Sequence, residues 1–304
     1  MDEPRTTVGD VLADATGRLR ASEPATARLD AELLLGHVLG RERAWLLGHP
    51  ESSVPAPQMV ELVELVDRRA AGAPVAYLRG FKEWLGLRVR TDARALIPRP
   101  ETELLAESAI AEVAHRLAAD PGGAPIVVWE VATGSGAIAL ALALRFRVAL
   151  RLERVRLAAS DHAPEALELA AENLAAHRVG GLVTLACTDL LDGAGDLLPR
   201  PDIVIANLPY VPTAVVDAAS GSLAHEPRMA LDGGPDGLRI VHRLLAEVPA
   251  ATRPGATVLL EIGSGQAEVV RTIAPAGASV DVVPDLAGIG RVVRLGMPVQ
   301  APAP

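Results

Sequence analysis

The residues best suited to chemistry stand in one stretch, Asp202-Ile203-Val204-Ile205-Ala206-Asn207-Leu208-Pro209-Tyr210. Four residues, Ile203 to Ala206, run apolar without interruption and stop at Asn-Leu-Pro-Tyr, the pattern of a short buried strand feeding a stiff loop. Pro209 removes a backbone donor, fixes its own φ and pushes Leu208 toward an extended conformation. A carboxamide, a constrained carbonyl and an aromatic ring are thereby offered at the C-terminal end of a strand, the edge where open α/β sheets bind ligands. Such a set can hold a planar nitrogen. An amide or exocyclic amine nitrogen is a poor nucleophile because its lone pair is delocalised. Two acceptors facing its N–H groups, the Asn207 oxygen and the carbonyl of residue 208, would orient it and favour pyramidalisation, with the Tyr210 ring against the planar group. Methyl transfer to such a nitrogen suits these residues and hydride transfer does not. Most of the catalysis would be orientation for in-line attack, with no metal and no strong general base required. Taken alone, Asn-Leu-Pro-Tyr is equally a plain strand-ending turn.

A second candidate is Trp129-Glu130-Val131-Ala132-Thr133-Gly134-Ser135-Gly136. Small residues after a strand let the backbone approach a ligand closely, and the helix N-terminus behind them favours anionic or polar groups. A tight turn needing small residues would look the same. A dinucleotide site would want an acid about 20 residues on, at the end of the second strand. Asp161 stands 27 residues beyond Gly134, at that strand end. A carboxylate there suits the ribose of NAD or of S-adenosylmethionine, and it also suits an N-cap of the next helix. The stretch from Asn207 onward separates these readings.

The elements that must position these residues follow from periodicity. Residues 8 to about 75 read as helices, with a dense apolar stripe from Leu29 to Leu39 closing at Gly40 as a C-cap. From Tyr77 to Ile97 the period shifts towards two, and Thr91 to Arg94 is read as the turn of a β-hairpin. Pro98-Arg99-Pro100-Glu101-Thr102-Glu103 opens a helix to about Ala119, and carboxylates in a first turn are ordinary helix-entry chemistry. Beyond Pro125, strand, loop and helix alternate. Strands are expected at Ile126 to Val131, Val155 to Ala159, Leu182 to Ala186, Ile203 to Ala206, Thr257 to Ile262, Val280 to Val283 and Arg291 to Leu295, with a helix from Leu238 to Glu247. The fold class is therefore α/β, a doubly wound, mostly parallel sheet covered by helices. The expected divisions are a helical domain at 1–75, a hairpin linker at 76–98, the α/β domain at 99–297 and a disordered tail at 298–304.

Composition narrows the classes. The chain has 304 residues, half of them hydrophobic but only 2% aromatic, so its core must be aliphatic. A net charge of −9 argues against broad electrostatic capture of nucleic acid. Cys187 is the one cysteine, which excludes an intramolecular disulfide and suits a reducing cytoplasm. The start, Met1-Asp2-Glu3-Pro4, lacks the basic and apolar regions of a signal peptide. No apolar run approaches the ~20 residues of a membrane helix. A cytoplasmic monomer is expected, with no membrane and no direct nucleic-acid partner.

Together these residues resemble the HemK/PrmC family of protein-(glutamine-N5) methyltransferases, which act on peptide chain release factors. The resemblance runs through Leu29-Asp30-Ala31-Glu32-Leu33-Leu34-Leu35, Leu96-Ile97-Pro98-Arg99-Pro100-Glu101-Thr102-Glu103 and His225-Glu226-Pro227-Arg228-Met229-Ala230-Leu231-Asp232-Gly233-Gly234. Glu261-Ile262-Gly263 and Asp285-Leu286-Ala287-Gly288 complete it. It implies a class I S-adenosylmethionine-dependent methyltransferase fold behind a helical substrate-docking domain. It further implies that Ala132, Thr133, Gly134, Ser135 and Gly136 face the methionyl part of the cofactor. Asp161 would bind the ribose, and Asp189 and Leu190 would border the adenine. Asn207, Leu208, Pro209 and Tyr210 would hold the target glutamine, with Arg99 and Glu101 beside it. Three positions depart from the family pattern: Glu130 and Ala132 replace the Asp and first Gly of its glycine loop, and Leu208 replaces the first Pro of Asn-Pro-Pro-Tyr. The last bears on loop rigidity and the surface an incoming peptide meets. The implied activity is methylation of the glutamine in the release-factor Gly-Gly-Gln motif. A different protein substrate, an adenine-N6 methyltransferase of nucleic acid and a non-catalytic binding protein are the alternatives.

Overall fold

The computed structural model describes residues 6–22, 24–193 and 199–299, so residues 300–304 of the expected tail lie outside it. The chain forms two compact units: Met1–Phe81 with Ala219–Glu226, and Lys82–Ala218 with Pro227–Pro304.

In the first unit α1 (Val8–Leu19), α2 (Ala27–Leu39), α3 (Arg43–Gly48), α4 (Ala56–Ala70) and α5 (Val75–Arg79) enclose an aliphatic core that includes Leu12, Leu34, Leu35 and Leu46. Thr7 and Asp10 close a capping box at the start of α1. Gly40 ends α2 with φ +61°, its N–H turned back to the carbonyls of Gly36 and His37. Within this bundle Arg69 and Asp30 form a buried ion pair at 2.8 Å. Arg69 also donates to the Ser222 hydroxyl at 2.9 Å, which ties the returning segment 219–226 to α4.

The boundary between the units falls within β1 (Phe81–Trp84), which pairs with β2 (Leu87–Arg90). The hairpin turns at Leu85-Gly86 and not at Thr91–Arg94 as the sequence pattern indicated. Both turn residues have positive φ, +47° and +69°, the two-residue geometry that matches strand twist. Leucine disfavours that conformation, and the Leu85 N–H is held by Glu103 Oε1 at 2.9 Å. The Trp84 indole donates to the Arg99 carbonyl at 2.8 Å. These two bonds pin the hairpin to the start of α6 (Glu101–Ala119). Thr91 to Arg94 is instead a local turn capped by the Asp92 carboxylate, which accepts the Arg94 N–H at 3.0 Å.

The main sheet comprises β3 (Ile126–Val131), β4 (Val155–Asp161), β5 (Val183–Cys187), β6 (Ile203–Ala206), β7 (Thr257–Glu261), β8 (Ser279–Pro284) and β9 (Gly290–Gly296), in the order β5-β4-β3-β6-β7-β9-β8. Among the described residues, β9 is the one strand reversed in direction, antiparallel to both β7 and β8. This is the class I methyltransferase sheet that the resemblance implied. Helices α7 (Ala137–Arg145), α8 (Arg147–Arg151) and α9 (Pro164–Ala176) belong to the connections among β3, β4 and β5. Then come α10 (Thr213–Asp217), α11 (Arg239–Ala251) and α12 (Ala267–Ile273). α11 runs past the expected end at Glu247 and carries Pro249 in its last turns. One face of the sheet packs Val128, Ile203 and Ile205 against α6 and α7, and the other packs Trp129, Val204 and Ala206 against α11. Burial on both faces is why β6 reads as an uninterrupted apolar run and β3 as one broken only by Glu130. Among the described residues, no helix is long and apolar enough to cross a membrane.

Candidate active site

Strand register brings the candidate residues together. Val131 pairs with Ser160 of β4 and Ala206 of β6, and Ala206 pairs with Leu260 of β7. The next residue on each strand, Asp161, Ala132, Asn207 and Glu261, therefore lies in one row at the C-terminal edge. β3 is followed by β4 on one side and flanked by β6 on the other, so the row crosses the point where strand order reverses. A cavity of about 580 Å³ opens there, the expected ligand site of an open α/β sheet.

On its glycine-loop side, Ala132, Gly134 and Gly136 all have positive φ, +56°, +55° and +76°. Ala132 is thus an L-residue held left-handed where glycine would be unstrained, a cost of about 1–2 kcal/mol. A Cβ on Gly136 would stand 2.9 Å from the Ala170 Cβ, so this glycine lets the loop seat on α9. The Asp161 carboxylate ties the loop: Oδ2 accepts the Gly134 N–H at 2.8 Å and Oδ1 the Ala163 N–H at 2.9 Å. It is not the N-cap of α9, which is Ala163. Burial raises the Asp161 carboxyl above its ordinary range, and those backbone bonds partly offset it. With the His162 N–H also bonding the carboxylate, one of its roughly four lone-pair sites is left for a further donor.

Glu130 lies beneath this loop, 2% exposed and among the residues lining the cavity, and its Oε2 has no hydrogen-bond partner among the described residues. Burial, with the Asp161 charge adding to it, pushes this carboxyl up to about 8. At neutral pH most of it carries a proton.

On the opposite side, Asn207 Nδ2 donates to Thr102 Oγ1 at 3.1 Å. The Tyr210 hydroxyl donates to Glu261 Oε1 at 3.1 Å, and Gln266 Nε2 donates to the Tyr210 carbonyl at 3.0 Å. Burial raises both the Tyr210 and the Glu261 groups above their ordinary ranges. Leu208 is 2% exposed and packs into the apolar cluster below the loop, and it is also among the residues lining the cavity. The Asp232-Gly233-Gly234 stretch braces the loop, and Asp232 also lines the cavity. Val211 and Leu231 are joined at 3.0 Å, and a Cβ on Gly233 would stand 2.6 Å from the Pro209 carbonyl.

Of the residues singled out from sequence, Ala132 to Ser135, Asp161, Asp189 and Leu190 line the cavity, as do Arg99 and Asn207 to Pro209. Asp189 is also paired with Arg243 at 2.7 Å. Gly136, Tyr210 and Glu101 are not among the lining residues: Gly136 seats the loop, Tyr210 is bonded to Glu261, and Glu101 is exposed on the first turn of α6. Sequence reasoning assigned no role to Thr102 or Glu261. Both sat inside quoted motifs, but only the fold sets Glu261 in the row through strand register and brings Thr102 to Asn207 from α6.

A family model described as PrmC N-terminal domain matches residues 10–80. The release factor glutamine methyltransferase of Moorella thermoacetica is 37% identical over 288 residues, spanning 94% of this chain and 96% of that protein. That of Deinococcus radiodurans is 38% identical over 289 residues, with 94% of this chain and 96% of that protein covered. That of Bordetella pertussis is 36% identical, with 94% and 98% covered. Relatives at this identity and coverage show that the chain belongs to the release factor glutamine methyltransferase family.

Proposed function

We propose that this chain transfers a methyl group from S-adenosylmethionine to the side-chain amide nitrogen of a glutamine in a peptide chain release factor. The observation that carries the reading is the row of Asp161, Ala132 and Asn207 at one cavity edge in a chain of this family. The residues present fit the cofactor. Asp161 keeps an accepting site for a ribose hydroxyl, the glycine loop exposes backbone to a methionyl group, and the unpartnered Glu130 Oε2 lies where a polar group can meet it. Asp189 and Leu190 would flank the adenine. When bound, the cofactor supplies an electrophilic sulfonium methyl.

The chain's part is orientation. The Asn207 amide oxygen and the residue 208 carbonyl accept the two N–H bonds of the target amide, turning its lone pair toward the methyl. Pro209 stiffens the loop that holds them, and the bond from Tyr210 to Glu261 fixes where it points. Once methylated, the positively charged amide nitrogen is strongly acidic and loses its proton without a dedicated base. The helical first unit docks the release factor, and Arg99 at the cavity wall meets the polypeptide flanking the glutamine.

Labelled S-adenosylmethionine incubated with purified release factors tests this reading. Label on the Gly-Gly-Gln glutamine is the expected result. Label on other extract proteins only would remove the release-factor assignment, and nuclease-sensitive label would point to nucleic acid. Asn207→Ala should lower turnover by about 100-fold or more while cofactor affinity, measured by calorimetry, stays within a few-fold. Near-normal turnover in that variant would mean that the amide clamp is wrong.

A further inference from the structure

We infer that Asn173 is a positioning residue for the cofactor, its carboxamide holding the glycine loop and the facing segment 91–99 at the spacing that receives a methionyl group. The inference rests on the methyl-transfer reading and extends it to a residue that is not among those lining the cavity. Asparagine is a poor helix former, because its side chain competes for backbone groups. Asn173 nevertheless stands within α9 and is 0% exposed, so what its side chain binds must account for its place there.

Its partners lie on two different elements. Oδ1 accepts the Arg90 N–H at 2.7 Å, and Nδ2 donates to the Arg90 carbonyl at 3.1 Å. The carboxamide thereby pairs with Arg90, the last residue of β2, as a peptide group of a neighbouring strand would. Nδ2 also donates to the Ser135 carbonyl of the glycine loop at 2.9 Å. One acceptor and two donors are needed at one point, and among neutral side chains an amide supplies them from a single planar group. The same pattern fixes which way the amide lies, since a flipped amide would set its NH2 against the Arg90 N–H.

This clasp joins two walls of the cavity. Soon after Arg90 the chain supplies Arg94, Ala95, Leu96, Pro98 and Arg99 to one wall, and Thr133, Gly134 and Ser135 belong to the other. The walls meet at Ala95, whose Cβ would lie 3.8 Å from a Cβ built on Gly134. Glu172, beside Asn173, adds ion pairs to Arg94 at 2.8 Å and Arg90 at 3.4 Å. The glycine loop has three holds: Asp161 on Gly134, α9 under Gly136 and Asn173 on Ser135. Of these three, Asn173 is the one that also grips the strand leading into the facing wall. Its loss frees the Ser135 carbonyl and the start of that wall together. Asp161 and Asp189, which would serve the nucleoside, keep their own bonds.

Calorimetry on the full chain tests this, with S-adenosylhomocysteine and adenosine as the probes. Asn173→Asp keeps the shape and an oxygen for the Arg90 N–H, but the group in place of NH2 can donate at most one of the two bonds. It should weaken S-adenosylhomocysteine by about 10-fold or more, and adenosine, which lacks the amino-acid part, by no more than a few-fold. In turnover, KM for S-adenosylmethionine should rise by a similar factor while kcat at saturation stays within a few-fold. Leu174→Ala, on the same helix with its side chain in the aliphatic core, is the comparison. It should lower the melting temperature and leave both affinities unchanged. A role confined to seating α9 would weaken both probes alike or neither. Should Asn173→Asp melt below the assay temperature, Asn173→Ser, which has no charge to bury, is measured against the same outcomes. The inference is overturned if the variant binds S-adenosylhomocysteine as the parent does, if adenosine loses as much, or if Leu174→Ala reproduces the loss. A parent protein that binds neither probe overturns the cofactor reading itself, and this inference with it.

Discussion

A carboxyl group that is buried without an ion-pair partner records its cost in the pH dependence of stability, and Glu130 is the case to measure. Its folded pKa, about 8, lies above the ordinary carboxyl value near 4.3 that it regains on unfolding. Between those values the folded state holds a proton that the unfolded state has released, so stability falls as pH rises through this window and levels off above 8. Glu130→Gln keeps the shape and cannot ionise. Without cofactor, the variant should match the parent near pH 4 and gain on it by a few kcal/mol by pH 8, read from thermal melts across that range. A difference that does not change with pH would show that Glu130 is ionised in the fold or not buried in solution. The motif position, a carboxylate at the end of the first strand, was legible in the sequence. Its protonation was not, because that depends on which helices cover it.

At the scale of elements, the glycine loop and α9 are fitted to each other. Gly136→Ala adds a methyl 2.9 Å from Ala170 Cβ at φ +76°, and left-handed strain plus overpacking should cost about 2–4 kcal/mol in urea unfolding. Ala132 already bears the same kind of strain at φ +56°, so Ala132→Gly should be neutral or stabilising by up to ~1 kcal/mol. If Gly136→Ala costs nothing, the loop must be able to lift off α9. The strands were the easiest elements to read. β3 and β6 are buried on both faces and have no polar alternation to confuse with a helix. The hairpin turn was misread for a physical reason. Thr91-Asp92-Ala93-Arg94 has turn chemistry and makes a local turn, while the true reversal uses Leu85, whose unfavourable φ is supported by the bond its N–H donates to Glu103 in a different element.

For the molecule as a whole, the chain leaves its first unit near Phe81 and returns to it at 219–226. Arg69 serves both the bundle and the returning segment, through Asp30 and Ser222. Removing it leaves the Asp30 carboxylate buried without its principal partner. Arg69→Met should therefore destabilise the protein by about 3–5 kcal/mol, and adding Asp30→Asn should recover part of that loss. Urea unfolding of the single and double variants checks both values. A loss below ~1 kcal/mol would mean that water reaches Asp30 and replaces the arginine. Sequence patterns placed Asp30 and Arg69 on two helices but offered no sign that they pair.

What the amino-acid sequence determined by itself was whatever depends on neighbours along the chain. The buried runs of β3 and β6, the small-residue loop at 132–136, the Asp at the end of β4 and the stiffened Asn-Leu-Pro-Tyr turn are all local, because burial period, φ preference and proline geometry act over a few residues. Tertiary structure alone decided how those pieces align. Parallel register sets Asp161, Ala132, Asn207 and Glu261 in one row, and α6 brings Thr102 against Asn207. Strand pairing joins residues far apart in the chain through backbone bonds that carry no side-chain signature. For that reason Asn207 was visible from the start, and the groups that orient it were not.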